Sequence, residues 1–261
     1  MALESGSKPT LRIRYSGGAF LHQFQKELEL MRANVQTNLA LTRELNDQTH
    51  IRQSEILLGW IKAESGDLAR MQRHISVYRA AGAEWAAQYL LALIASVLGR
   101  AGQTEEGLRI FEDALAIMEK TGERFFEAEI HRLRGELLRS QSLSSVEPAE
   151  AEFRSAAAIA RKQHGKSWEL RTTASLARLL RDTGRRGEAR ETLVEIYNWF
   201  TEGFDTADPK DAKALLEELG QRDASRFKGE ALEWLFPPHM VLHAVAKETM
   251  LTRRITIDEQ S

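Results

Sequence analysis

The sequence predicts an all-α fold, a tetratricopeptide-like solenoid of helical hairpins wound as a right-handed superhelix. Three observations predict it. Apolar residues recur three or four apart almost continuously from about Ala19, glycines punctuate that pattern, and one stretch repeats the spacing of another. Ile94, Ala95, Leu98, Gly102, Gly107, Phe111 and Ala114 are matched by Leu176, Ala177, Leu180, Gly184, Ala189, Leu193 and Ile196 at an offset of 82 residues, or two repeats of 41. Gly135 with Ala149, Phe153 and Ala156 supplies a copy between them, stretched by the Ser- and Pro-containing segment 140–148. Leu58, Gly59 and Gly66 supply a shorter, imperfect one. Small residues in the first helix and early in the second let two antiparallel helices approach, and large residues fill the remaining gap. A single hairpin cannot bury its apolar face, so neighbours stack, with the first helices lining the concave side.

Taken in order, residues 1–18 are rich in Gly, Ser and scattered charge without a sustained period, and are expected to be a flexible leader. Residues 19–46 are amphipathic and predict a helix pair or an N-terminal cap. First helices are expected near 50–65, 84–101, 123–139 and 166–183, with second helices near 67–81, 103–121, 147–163 and 185–202. Gly66, Gly82, Gly102, Gly122 and Gly184 mark helix ends, where a left-handed residue closes the helix. Asp208-Pro209-Lys210-Asp211 reads as a helix start, with Asp208 as cap and the helix 209–219 closing the stack. The repeat domain is thus placed at 19–220. Residues 221–261 form a C-terminal extension, in which Trp234-Leu235-Phe236 and Met240-Val241-Leu242 flank Pro237-Pro238 and predict one or two helices.

The 261 residues include 43% hydrophobic and 28% charged residues and five prolines, the profile of a folded, helix-favouring chain. A formal net charge of −2 supplies no global basic field, so neither nucleic acid nor an anionic membrane is an expected partner. With no cysteine, disulfides and thiolate chemistry are excluded. The longest apolar stretch, Tyr89 to Leu98, is about half the ~20 residues a membrane helix needs. The N-terminus has no apolar signal core, and a cytoplasmic location is expected.

Three blocks carry a resemblance: Leu98 to Gln103 (LGRAGQ), Glu123 to Leu138 (ERFFEAEIHRLRGELL) and Trp199 to Thr206 (WFTEGFDT). Through them, residues 20–220 resemble the C-terminal repeat region of large bacterial proteins that join a class III adenylate/guanylate cyclase domain, or another effector, to a signalling ATPase. The resemblance implies a sensor or scaffold arm that receives a partner and regulates the attached domains without catalysing. The chain departs from that pattern in carrying neither the ATPase phosphate loop nor a cyclase domain.

Candidate chemistry is sparse. Gly99, Gly102 and Gly107 lack the lysine and hydroxyl of a phosphate loop and read as helix punctuation. His239 and His243 share a helix face but have no third metal ligand. Glu127 and His131, four apart, read as a helix-face pair before an acid/base pair. Trp60, Trp85, Trp168, Trp199 and Trp234 are expected mainly in the core. Arg185-Arg186 and Arg253-Arg254 are too short for a nucleic-acid signature. No catalytic residue, metal site or cofactor is expected.

Counting from Gly135 and Ala177, by contrast, turns Arg132, Arg139, Arg171, Arg178 and Arg181 towards the concave groove. Guanidinium forks recognise carboxylate or phosphate, so an acidic peptide or a phosphorylated ligand is the expected occupant. Ordinary i, i+4 pairing of those arginines is the competing expectation, with Glu129 and Glu136 partly neutralising them. The sequence therefore predicts a non-catalytic protein-interaction or sensor module. The alternative is a regulatory segment that acts only with cyclase or ATPase domains.

Overall fold

The structure, a computed structural model, describes residues 7–63, 86–141 and 146–221. The chain up to Leu216 is one compact unit, and nearly all of the second, Glu217–Ser261, lies outside the described residues. So do the helix expected at 67–81, the helix ends at Gly66 and Gly82, and the helices expected after 221.

The described residues are helical: α1 (Lys8–Phe24), α2 (Leu28–Glu44), α3 (Gln48–Ala63), α4 (Ala87–Arg100), α5 (Thr104–Thr121), α6 (Glu127–Arg139), α7 (Val146–Lys162), α8 (Lys166–Asp182), α9 (Arg186–Tyr197) and α10 (Ala207–Gly220). Hairpins form between α1 and α2, α4 and α5, α6 and α7, and α8 and α9, while α3, α4, α6 and α8 pack successively on one another. This is the tetratricopeptide-like solenoid that the repeat predicts. Ile94, Ala95, Leu98, Phe111 and Ala114 are fully buried, as are their counterparts Ala177, Leu180, Ala189 and Leu193. The small positions are small because backbones and rings meet there. A Cβ on Gly107 would lie 2.9 Å from the Ala95 carbonyl oxygen, and one on Gly135 would lie 2.7 Å from the Phe153 ring.

One turn is used repeatedly. After α1, α2, α4, α7 and α8, a residue with positive φ (Lys26, Asn46, Gly102, His164 and Gly184) is followed by a residue whose amide donates five residues back. Those bonds run from Glu27 to His22, Asp47 to Thr42, Gln103 to Leu98, Gly165 to Ala160 and Arg185 to Leu180, at 2.7–2.9 Å. They satisfy carbonyls that the ended helix leaves free. Each donor's own carbonyl then accepts the first bond of the next helix.

The structure corrects several expected boundaries. Residues 8–18 are helical, so the flexible-leader assignment of 1–18 fails for them. The buried stripe of α1 is Ser16, Ala19, Phe20 and Gln23, whose helical spacing is disguised by a serine and a glutamine. The helix expected from 123 begins at Glu127. The carbonyls of Glu123 and Arg124 are taken instead by the side-chain amides of Gln88 at 3.3 Å and Gln163 at 2.6 Å, which hold that segment out of the helix. The helix expected to reach 202 stops at Tyr197, where Tyr197 packs on Phe204 at 5.7 Å and Gly203 adopts a φ of 75° to reverse the chain. Finally, α10 starts at Ala207 after Thr206, so Asp208 lies in the first turn and is not its cap.

Candidate functional site

The concave cleft is built by alternate helices. Its wall is drawn from Gln23 and Lys26 after α1, Trp60 of α3, Leu93, Ser96 and Arg100 of α4, Glu129, Arg132, Leu133 and Glu136 of α6, and Arg171, Ala174, Ser175 and Arg178 of α8. Asp208 and Asp211 of α10 complete a volume of about 360 Å³. The first helices line it, as solenoid geometry requires.

Of the five arginines expected there, Arg132, Arg171 and Arg178 line the cleft. Arg139 and Arg181 do not. They converge on Asp182 at the ends of α6 and α8, with Arg139 at 3.3 Å and Arg181 at 2.8 Å, and Arg139 also pairs with Glu136 at 3.0 Å. Arg132 and Arg171 are in the cleft wall but already engaged. Arg132 donates twice to Glu129, both at 2.7 Å, and lies 3.6 Å from Glu136. Arg171 donates to Asp208 at 2.9 and 2.6 Å and to the carbonyl of Phe24, and lies 3.5 Å from Glu129. Lys26 extends the chain of charges to Asp208 at 3.2 Å and Asp211 at 2.6 Å, and Ser175 donates to Glu136 at 2.6 Å.

These contacts set the charges. Burial opposes ionisation of Arg132 and Arg171, but the carboxylates around them outweigh it and hold both guanidinium pKa values above the ordinary range. Burial likewise pushes Glu136 up, yet Arg132, the Ser175 hydroxyl and Arg139 together bring its carboxyl below the usual range. Arg178 differs from its neighbours: it lines the cleft half-buried, and no hydrogen bond or ion pair engages it among the described residues. The indole N–H of Trp60, a cleft-lining residue, is buried without an acceptor among the described residues.

On the other side of the Arg171–Asp208 pair lies a second cavity of about 580 Å³. Phe24, Phe125, Trp168, Trp199 and Phe200 line it, and Thr201, Glu202 and Gly203 close one edge. The expectation that the tryptophans are core residues therefore holds only in part, for Trp60, which packs against the hydrophobic core. Trp60 and Trp168 are half-buried in cavity walls and Trp199 is 57% exposed, while Trp85 and Trp234 lie outside the described residues.

Sequence reasoning missed how α1 closes the site. Phe20 and Phe24 pack against Tyr89 at 6.1 and 5.8 Å and against Phe126 at 6.1 and 6.2 Å, and Phe24 meets Trp168 edge-on at 4.9 Å. Tyr89 and Phe126 are themselves stacked at 4.4 Å. The Tyr89 hydroxyl donates to Gln23 at 2.6 Å, and burial, with Glu129 nearby, pushes its pKa upward, so it remains a donor. One signal was available. The blocks 123–138 and 199–206 meet here, since Phe125 and Trp199 line one cavity and Glu129, from the first block, faces the Arg171 that Asp208 holds just after the second.

The remaining candidates separate. Glu127 is 2.6 Å from Arg124, while His131 Nδ1 is 2.7 Å from Glu152, so the expected Glu127–His131 pair is replaced by two others. His239 and His243 lie outside the described residues. Among the described residues no cluster of His, Cys, Asp and Glu has metal-binding form, and no helix is long and apolar enough to cross a membrane.

No protein-family model matches the chain. An uncharacterized protein of Rhizobium meliloti (strain 1021) is 30% identical over 131 residues, a stretch that is 49% of this chain and 13% of that protein. Among solved structures, the chain is similar to Bacillus thuringiensis PlcR in complex with the peptide PapR7 and DNA. The TM-score is 0.64 at 13% identity, covering 84% of this chain and 78% of that one. A Rap protein complexed with Competence and Sporulation Factor gives a TM-score of 0.60 at 13% identity, covering 99% and 78%. These likenesses support the all-helical repeat fold.

Proposed function

We propose that the repeat unit is a non-catalytic interaction module whose concave cleft receives a peptide segment bearing a carboxylate. Arg178 carries the reading. Most lining charges are bound to one another, whereas this guanidinium stands in the wall with its donors unspent. An unengaged guanidinium in the wall calls for an acceptor-bearing occupant. The fold shared with PlcR, which was solved with the peptide PapR7, supports a peptide in this role. Nucleic acid and membrane stay outside the proposal, because a net charge of −2 offers no extended cationic field.

The test is a selection of random octapeptides on the full chain, repeated with Arg178→Ala and Arg178→Lys. Acidic sequences should be enriched by the native protein, with affinity falling about tenfold or more in the alanine variant, as expected for loss of a charge-assisted hydrogen bond. Lysine should recover part of the loss. Enrichment of neutral peptides, or affinities indifferent to Arg178→Ala, would refute the assignment.

A second reading has its own support: the stretch matched in Rhizobium meliloti is 13% of that protein, so a related stretch occurs inside a far longer chain. Under this reading the cleft regulates cyclase or ATPase domains in the same or a docked polypeptide. Adding the full chain to separately expressed domains of that class should change their turnover. Unchanged turnover without complex formation on gel filtration counts against it.

A further inference from the structure

We propose that the aromatic cavity is a second, separate binding site, for an organic cation with an apolar body, of which a quaternary ammonium is the simplest case. Its volume of about 580 Å³ falls within the range of small-ligand pockets. Aromatic residues dominate the wall, and two of their rings already hold cations: Arg171 sits 5.3 Å from the Trp168 centroid and Lys166 lies 5.4 Å from that of Trp199. Both cations carry their own counter-charges, since Arg171 is bound to Asp208 and Lys166 lies 2.7 Å from Glu169. What remains is the Glu202 carboxylate, which lines the cavity with no hydrogen bond or ion pair among the described residues. Aromatic rings with one uncompensated negative charge complement a cation better than an anion.

The exposure of the rings agrees with a site kept for an occupant. Phe125 is 64% and Trp199 is 57% exposed beside a cavity they help line. The loop bearing Trp199 and Glu202 is held in shape before any ligand arrives. The Thr206 hydroxyl donates to the Gly203 carbonyl at 2.7 Å, and Trp199 meets Phe200 edge-on at 5.3 Å. A pre-formed site loses less ordering entropy on binding.

Calorimetric titration of the full chain with choline and with its uncharged counterpart 3,3-dimethylbutan-1-ol tests the proposal. Choline should bind saturably and at least about fivefold more tightly than the alcohol, the scale of a cation–π contact. Glu202→Gln should narrow that preference. Trp199→Ala should abolish binding while leaving the circular-dichroism spectrum and melting temperature unchanged. Arg178→Ala should leave choline affinity unaltered, so failure of this site and failure of the peptide cleft are read separately. Equal binding of the two probes would show a merely apolar cavity and overturn the proposal, as would no saturable choline binding.

Discussion

Asp208 carries more of the structure than its place in a helix's first turn implies. It is 13% exposed and holds the Arg171 guanidinium, itself 12% exposed, which Glu129 supports from α6. Removing Asp208 leaves a buried guanidinium that Glu129, at 3.5 Å, compensates only in part, so Asp208→Ala should cost about 3 kcal/mol. That loss would appear as a melting temperature lower by roughly 10 °C. Asp211→Ala, at a carboxylate 48% exposed, should change stability little. Acid should act on the same charges. Glu136, Glu150 and Glu169 are each held below the ordinary carboxylate range by arginines, a lysine or a serine that outweigh their burial. Their contribution is therefore intact above the unfolded value of about 4.3 and is lost as pH falls through the lower, folded values. Denaturant midpoints should accordingly drop below about pH 4, and Glu136→Gln should make that drop shallower. Helical register was enough to turn Arg132, Arg171 and Arg178 towards the cleft. Glu129 and Glu136, the partners of Arg132, lie about one turn from it and were legible, whereas those of Arg171 were not, because Asp208 is 37 residues away and the Phe24 carbonyl 147. Only tertiary structure decides which guanidinium is left unpaired.

At the scale of the element, the helix boundaries followed their punctuation where glycine supplied it, at Gly102, Gly122 and Gly184. The same left-handed turn at Lys26, Asn46 and His164 left no such mark, since a side chain there conceals the backbone's requirement. His164 has a φ of 56°, which strains a residue bearing a Cβ. His164→Gly should stabilise the unit by up to about 1 kcal/mol, part of the relief being offset by the greater freedom of glycine in the unfolded chain. Thermal unfolding measures it. Gly107→Ala should act in the opposite direction, by about 1–3 kcal/mol, because the added methyl would meet the Ala95 carbonyl and neither helix backbone can retreat without disturbing its neighbours. The helical character of residues 8–18 escaped for a different reason. The face α1 buries includes Ser16 and Gln23, and periodicity of apolar residues cannot register a stripe that is partly polar.

Across the whole unit, α1 has two kinds of neighbour. Along the chain it forms a hairpin with α2, and across the cleft its end meets α4, α8 and α10 through Tyr89, Trp168, Asp208 and Asp211. A variant lacking residues 1–27 keeps most of the helices and loses those cross-cleft contacts. It should melt at a lower temperature and bind a hydrophobic dye through the uncovered Tyr89 and Phe126 rings, whereas a dispensable leader would leave both readings unchanged.

The salt bridge between Lys26 and Asp211 joins residues 185 apart. An open repeat array behaves as a spring: it stretches by small adjustments at every joint and unravels first at whichever end is loose. Tying an early coil to a late one lowers that compliance, and the buried Arg171, which holds both the Phe24 carbonyl and Asp208, is the stronger of the ties. The width of the cleft then ceases to be a local property. A guest that forces it wider works against the contacts Arg171 makes with Phe24 and Asp208, and a guest that fits without forcing leaves them intact.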